Sequence, residues 1–179
     1  MFLHGSFFDL PIEADLFDCS ISLHTIYHME KDRQEEAVRK LINVTKAGKP
    51  IIIVYSNPRS FVCRAMSSFP LPFLRNIRRK IKASKGDPIQ DKDLQFYFYA
   101  HPIEWWNRFR DTCTVTILPW RSFDSAIQKL LIPDNFIGKK MFALLFKLEN
   151  QFPEFFVRHF QYPMIIMIKD GIQSVRAAD

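Results

Sequence analysis

Glycine is scarce in this chain: five residues, at positions 5, 48, 86, 138 and 171, stand too far apart to form any G-x-G tract. A dinucleotide-type loop needs such glycines to let the backbone approach its ligand closely, so these 179 residues contain no loop of that kind. Cysteine is scarce too. Cys19, Cys63 and Cys113 are odd in number, far apart, and match neither a CxxC pair nor a metal-ligand spacing. That excludes a disulfide framework and a zinc knuckle, and it leads us to expect reduced, buried thiols in a cytoplasmic protein with no bound metal. There is no run of about 20 apolar residues, and the opening MFLHGSFFDLP lacks the basic stretch of a secretory signal, so neither membrane spanning nor secretion is expected. Repeats and low-complexity tracts are also missing, which leaves one continuous domain.

What the chain does have is aromatic bulk: 18 Phe, 5 Tyr and 3 Trp within 47% hydrophobic and 25% charged residues. That composition suits a single soluble domain with a sizeable core and aromatic-rich walls. The net charge of +6 is concentrated between Arg75 and Lys92, where seven basic residues face two acidic ones. There FLRNIRRKIKASKG sets Phe73, Leu74, Ile77 and Ile81 along one side of a helix and basic residues around the rest. This is the pattern of an interfacial helix, so peripheral membrane contact through residues 73–85 stands beside the plainer reading of a solvated basic face. Aromatics interleaved for base stacking are lacking, and nucleic acid is not expected as a partner.

Periodicity gives the order of elements. Residues 1–6 form a short apolar strand, 7–17 carry turn chemistry in Asp9, Pro11 and Asp15, and 19–23 are a compact buried strand. A helix is predicted over 32–47, with Asp32 and Glu35 as a capping box, Ala37, Val38, Leu41, Ile42 and Thr45 on one face, and Gly48 as the left-handed cap. PIIIVY at 50–55 is a β-branched run suited to a strand covered on both faces. Strand, helix and strand with short links make a βαβ unit and hence a parallel sheet. Further on, short helices are predicted near 60–67, 74–83 and 103–110, a strand at 112–118, a strongly apolar helix at Phe136–Gln151, and a last buried strand at Tyr162–Lys169.

The succession HGSFFDLP, FDCSISLHTIYHM, amphipathic helix, AGKP and IIIVYSNP resembles the small-molecule class I S-adenosylmethionine-dependent methyltransferases. Gly5, Leu10, Pro11, Phe17, Asp18, His28 and Gly48 stand in the matching places, and the terminal YPMIIMIK resembles the family's last antiparallel strand. The resemblance implies an α/β fold: a partial Rossmann-like sheet holding strands 3 to 7 of a seven-strand order 3-2-1-4-5-7-6, with helical inserts at 59–111 and 120–160. It also implies that strands one and two, with their acidic-G-x-G-x-G loop, are not in this chain, and that a longer reading frame supplies them upstream of Met1.

By the same resemblance, Ser6, Phe7 and Phe8 lie on the adenine side of the cofactor, and Ser22, Leu23 and His24 lie at its methionine end, where the strands' carboxyl ends open into the crevice. Tyr27, Tyr55, Asn57, Tyr99 and Arg121 are candidate contacts to the methyl acceptor. HTIYHM offers His24 and His28 as general bases, although alignment and desolvation can carry a methyl transfer without one. The expected activity is methyl transfer from S-adenosylmethionine to a small-molecule or lipid-like acceptor by the full-length enzyme, this chain alone being inactive. The alternative is a non-catalytic partner-binding or membrane-surface module. A dehydrogenase on a similar sheet lacks its fingerprint equally and explains LP, FD and YPMIIMIK less well.

Overall fold

The computed structural model describes residues 4–61, 97–123, 125, 128, 129 and 132–170. The predicted helices at 60–67 and 74–83, the basic stretch 73–85 and residues 1–3 of the first predicted strand fall wholly or mostly outside them. Four strands form one sheet: β1 (Ser20–Leu23), β2 (Pro50–Val54), β3 (Cys113–Arg121) and β4 (Tyr162–Lys169), in the order β1-β2-β4-β3. β1 and β2 are parallel, as a βαβ unit requires, while β4 runs antiparallel between β2 and β3. β4 therefore has hydrogen-bonding neighbours on both sides, and its side chains alternate between buried and half-buried. β3 is longer than predicted and carries a register shift between Pro119 and Arg121, where proline offers no N–H to the ladder. Residues 4–6 are not strand, so the first predicted strand is absent over its described part.

The crossover helix α1 (Gln34–Val44) is entered through a 3-10 turn, Lys31–Arg33. The predicted capping box does not form: Arg33 occupies the cap position and no side chain caps the helix. Glu35 and Glu36 complement the helix dipole instead. Glu35 also accepts from Arg39 and Arg108, and the Arg39 bond leads in holding its carboxyl below the ordinary range. Thr45, in extended backbone, ends the helix, its hydroxyl donating to the Leu41 carbonyl and lying 2.6 Å from Ser20 Oγ. Gly48, expected as the cap, lies three residues further on with φ 72°, where it turns the chain into β2 and donates its N–H to the Lys169 carbonyl. Glycine takes that left-handed conformation without a Cβ penalty.

The core sits on one side of the sheet. Ile51, Ile53, Val115, Ile165 and Met167 point into it from the strands, and Val38, Ile42, Trp105, Trp106 and Phe109 close over them. The last three come from Ile103–Phe109, the predicted short helix, which is a 3-10 helix. So part of the predicted insert 59–111 is core. α2 (Phe136–Gln151) has the predicted bounds: Asn135 caps it, its side chain accepting from the Ile137 and Gly138 N–H groups, and α3 (Pro153–His159) follows at once. No described helix is long and apolar enough to cross a membrane.

Candidate functional site at the carboxyl edge of the sheet

β1 and β2 end at the same edge, and β4 begins there, with His24 beside Val54 and Tyr55 beside Pro163. His24, the first residue beyond β1, has φ 56°. A bulky residue in the left-handed region costs energy, and such strain concentrates at functional sites. Its Nδ1 lies 2.9 Å from the Tyr27 hydroxyl, and its ring meets the Tyr162 ring edge-on at 4.9 Å. Burial first, then the Arg121 charge, hold the imidazole below its ordinary pKa of 6.5, so it is neutral at physiological pH. Burial pushes the Tyr27 phenol up to about 12, which keeps it protonated. Arg121 pairs with Tyr162 across β3 and β4 and donates to Ser125 Oγ and Gln128 Oε1.

His28 lies on the same turn. Its Nδ1 donates to the Tyr97 carbonyl at 3.0 Å, so in the neutral ring Nε2 is the acceptor nitrogen. Tyr27 packs against His28 and Phe98, at 4.6 and 5.2 Å, these two meet each other at 5.9 Å, and Phe98 is exposed. His24, Tyr27, His28 and Arg121 are thus brought into one group. Tyr162, which completes it, was not singled out from the sequence. It begins a run so apolar that it reads only as a strand.

The other candidates separate from this group. Ser6 opens a turn, its carbonyl accepting from the Asp9 and Leu10 N–H groups. Phe7 and Phe8 rest on α1, with the Arg33 guanidinium 3.6 Å from the centre of the Phe8 ring and Lys40 donating to the Phe8 and Leu10 carbonyls. No described contact joins this turn to His24. Ser22 lies within β1, and Leu23 stands exposed at its end.

Three of the predicted acceptor contacts make hydrogen bonds or ring contacts that hold the fold. Tyr55 is buried; its hydroxyl donates to Gln34 Oε1 and accepts the His101 N–H. Asn57 is buried as well, its Nδ2 spanning the carbonyls of Val157, Arg158 and Phe160 while its Oδ1 accepts the Arg59 N–H. It fastens the end of α3 to the loop after β2. Tyr99 faces Lys31 and His101, not His24, and its carbonyl accepts from Gln34. The hub of this arrangement is Gln34, fully buried, with its amide also donating to the Met29 carbonyl. A polar residue in the first turn of an amphipathic helix carries no sequence signal for such a role.

Among the described residues no group of His, Cys, Asp and Glu could hold a metal ion. The fit to S-adenosylmethionine is partial: the carboxyl edge is present, while no glycine-rich loop exists to receive the cofactor's methionine and ribose.

The fold is that of S-adenosylmethionine-dependent methyltransferases. A SAM-dependent methyltransferase from Thermotoga maritima matches 94% of this chain over 63% of its own length, at a TM-score of 0.51 and 12% identity. One from Archaeoglobus fulgidus matches 88% of this chain over 62% of its own, at a TM-score of 0.46 and 16% identity. The chain therefore spans about three fifths of the length of either protein. No family model matches it, and no curated protein does.

Proposed function

We propose that this chain forms the carboxyl-terminal part of a class I S-adenosylmethionine-dependent methyltransferase that acts on a small-molecule or lipid-like acceptor. The observation that carries the proposal is the strand order: β1-β2-β4-β3, with the last strand antiparallel in the third place, corresponds to the 4-5-7-6 end of the sheet that the resemblance implies. His24 then stands where ligands meet doubly wound sheets. The missing glycine-rich loop must come from outside these residues for the cofactor to bind.

In this reading His24 is the first candidate base. In the tautomer whose Nδ1–H donates to the Tyr27 oxygen, the neutral imidazole offers Nε2 to a proton leaving an acceptor hydroxyl or amine. His28, with Nε2 as its acceptor nitrogen, is the second candidate. Arg121 lies close enough to bias the site toward an acceptor of negative charge.

The test has two arms. The 179-residue chain alone should show no appreciable affinity for S-adenosylmethionine by calorimetry, because a few contacts of about 1 kcal/mol each do not offset the several kcal/mol of lost rigid-body freedom. Micromolar affinity lost in Ser6→Ala and His24→Ala would overturn the account of the missing loop. A chain extended to include an acidic-G-x-G-x-G loop, given cofactor labelled at the methyl group and pooled metabolites, should transfer label. His24→Gln should slow that transfer about 100-fold or more. An extended chain that binds no cofactor would sink the proposal.

A further inference from the structure

α2 is built as an amphipathic element turned the wrong way for a core helix. Of its 16 residues only Gly138 and Glu149 are buried. Those two pin it to the rest of the fold. The Gly138 N–H joins the Asn135 cap, and a side chain at Gly138 would overlap the Pro133 carbonyl. Glu149 accepts a 2.5 Å hydrogen bond from the buried Ser122 hydroxyl. At about 100° per residue, Gly138 and Glu149 share one side of the helix. Ile137, Lys140, Leu144 and Lys147 lie around the opposite side.

That outer side is apolar and basic together. Ile137 and Leu144 are 62% and 57% exposed, and Phe136, at the helix start, is 70% exposed with the Lys140 ammonium 4.7 Å from its ring centre. The helix has three lysines, Lys139, Lys140 and Lys147, and its one acid is the buried Glu149. So the exposed apolar stripe is flanked by positive charge with no carboxylate on the helix to neutralise it.

We propose that this face of α2 docks on an anionic lipid surface, with Ile137, Met141 and Leu144 entering the headgroup boundary and Lys140 and Lys147 meeting lipid phosphates or carboxylates. Charge decides this occupant over a second copy of the chain. Ile137, Met141, Leu144 and Leu148 follow the 4-3-4 spacing of a helix-pairing seam, and Lys140 and Lys147 both take the same flanking position beside it. Two such helices laid antiparallel would set lysine against lysine, and a seam of two heptads is short for stable pairing in water. A bilayer rich in anionic headgroups accepts the same stripe and the same lysines without repulsion. The proposal is independent of the methyltransferase reading and of residues 73–85.

Sedimentation of the 179-residue chain with vesicles tests it, using phosphatidylcholine alone and phosphatidylcholine with about one third phosphatidylserine at low salt. Binding is expected to the mixed vesicles and not to the neutral ones. The double variant Lys140→Gln, Lys147→Gln should weaken it roughly 30-fold, the factor that about 1 kcal/mol per lysine gives. Ile137→Ser with Leu144→Ser should weaken it at least tenfold. Lys46→Gln with Lys49→Gln removes the same charge away from α2 and should change it less than about threefold. Equal loss in that control would mean diffuse attraction to a basic protein, and the proposal fails. It fails equally if the chain ignores the mixed vesicles, binds neutral ones as well, or forms a dimer that the Ile137→Ser, Leu144→Ser pair dissolves. Glutamine retains helix propensity, so the lysine variants report on docking even if the apolar ones perturb the fold.

Discussion

The two faces of the sheet are unlike each other. On one, Ile51, Ile53, Ile165 and Met167 are fully buried beneath Val38, Trp106 and Phe109. On the other, Ile21 and Leu23 of β1 stand 60% and 53% exposed and Ile52 and Ile166 are half-buried, although Val54 is closed over. β-branched residues line both, so composition does not distinguish them. What differs is the partner: one face has a helix and an aromatic 3-10 turn built to its shape. Stability should therefore reside almost wholly on one side of a sheet whose strands look suited to burial on both.

The largest effect expected from that asymmetry is at Trp106, which is buried and packs edge-on against Tyr55 at 5.0 Å and Trp105 at 4.9 Å. Trp106→Ala removes its burial and leaves a cavity, at a cost of about 3–5 kcal/mol by urea denaturation. A cost below about 1 kcal/mol would show that the covered face is not the core.

A smaller loss is expected at the polar hub beneath the same face. Tyr55→Phe preserves the ring but strands Gln34 Oε1 and the His101 N–H, both of which the hydroxyl now satisfies. The expected cost is about 1–3 kcal/mol. Replacing Gln34 by Leu in the same background removes that oxygen but also the amide that donates to the Met29 and Tyr99 carbonyls, so it should add to the loss.

Acid should weaken the fold through His24 and His101. Burial is the leading cause that lowers both pKa values from 6.5. The native state therefore binds protons less readily than the unfolded chain. The stability each contributes is fully present above pH 6.5 and is lost as pH falls through the depressed native value. The urea midpoint should drop between about pH 7.5 and pH 5. His101→Phe, which keeps a ring over Trp105 where His101 now stacks at 4.4 Å, should reduce that drop. An unchanged pH slope in both His101→Phe and His24→Phe would refute the assignment.

How much of this was legible beforehand depended on whether a feature is local. α2 was bounded correctly because Asn135 and Pro153 mark its ends chemically, and β2 and β4 because their apolar runs are long for their surroundings. The cap at Asp32 failed because the chain entered α1 through a tighter turn, and 3-10 and α entries share the same residues. The structural hydrogen bonds of Asn57 and Tyr55 were not legible because their partners, the end of α3 and the first turn of α1, lie 100 and 21 residues away. At the site, HTIYHM drew attention to His24, Tyr27 and His28 by its own chemistry, whereas Tyr162 joins them only through the antiparallel placement of β4.

The smallest effect should come from the exposed face, and it sharpens the comparison most. Ile21 lies in β1 opposite Ile52, with most of its side chain in water. Ile21→Thr keeps the β-branched shape and strand propensity while removing apolar surface that folding of this chain barely buries. The change in stability should stay within about 0.5 kcal/mol, against several for Trp106→Ala. The same substitution in a chain extended by further sheet-forming residues should behave differently. If a strand or helix then closes over β1, Ile21 becomes a core position, and exchanging a methyl group for a hydroxyl there should cost about 1–3 kcal/mol. A large cost already present in the 179-residue chain would mean that Ile21 is covered in solution, and that the two faces are more alike than their exposures indicate.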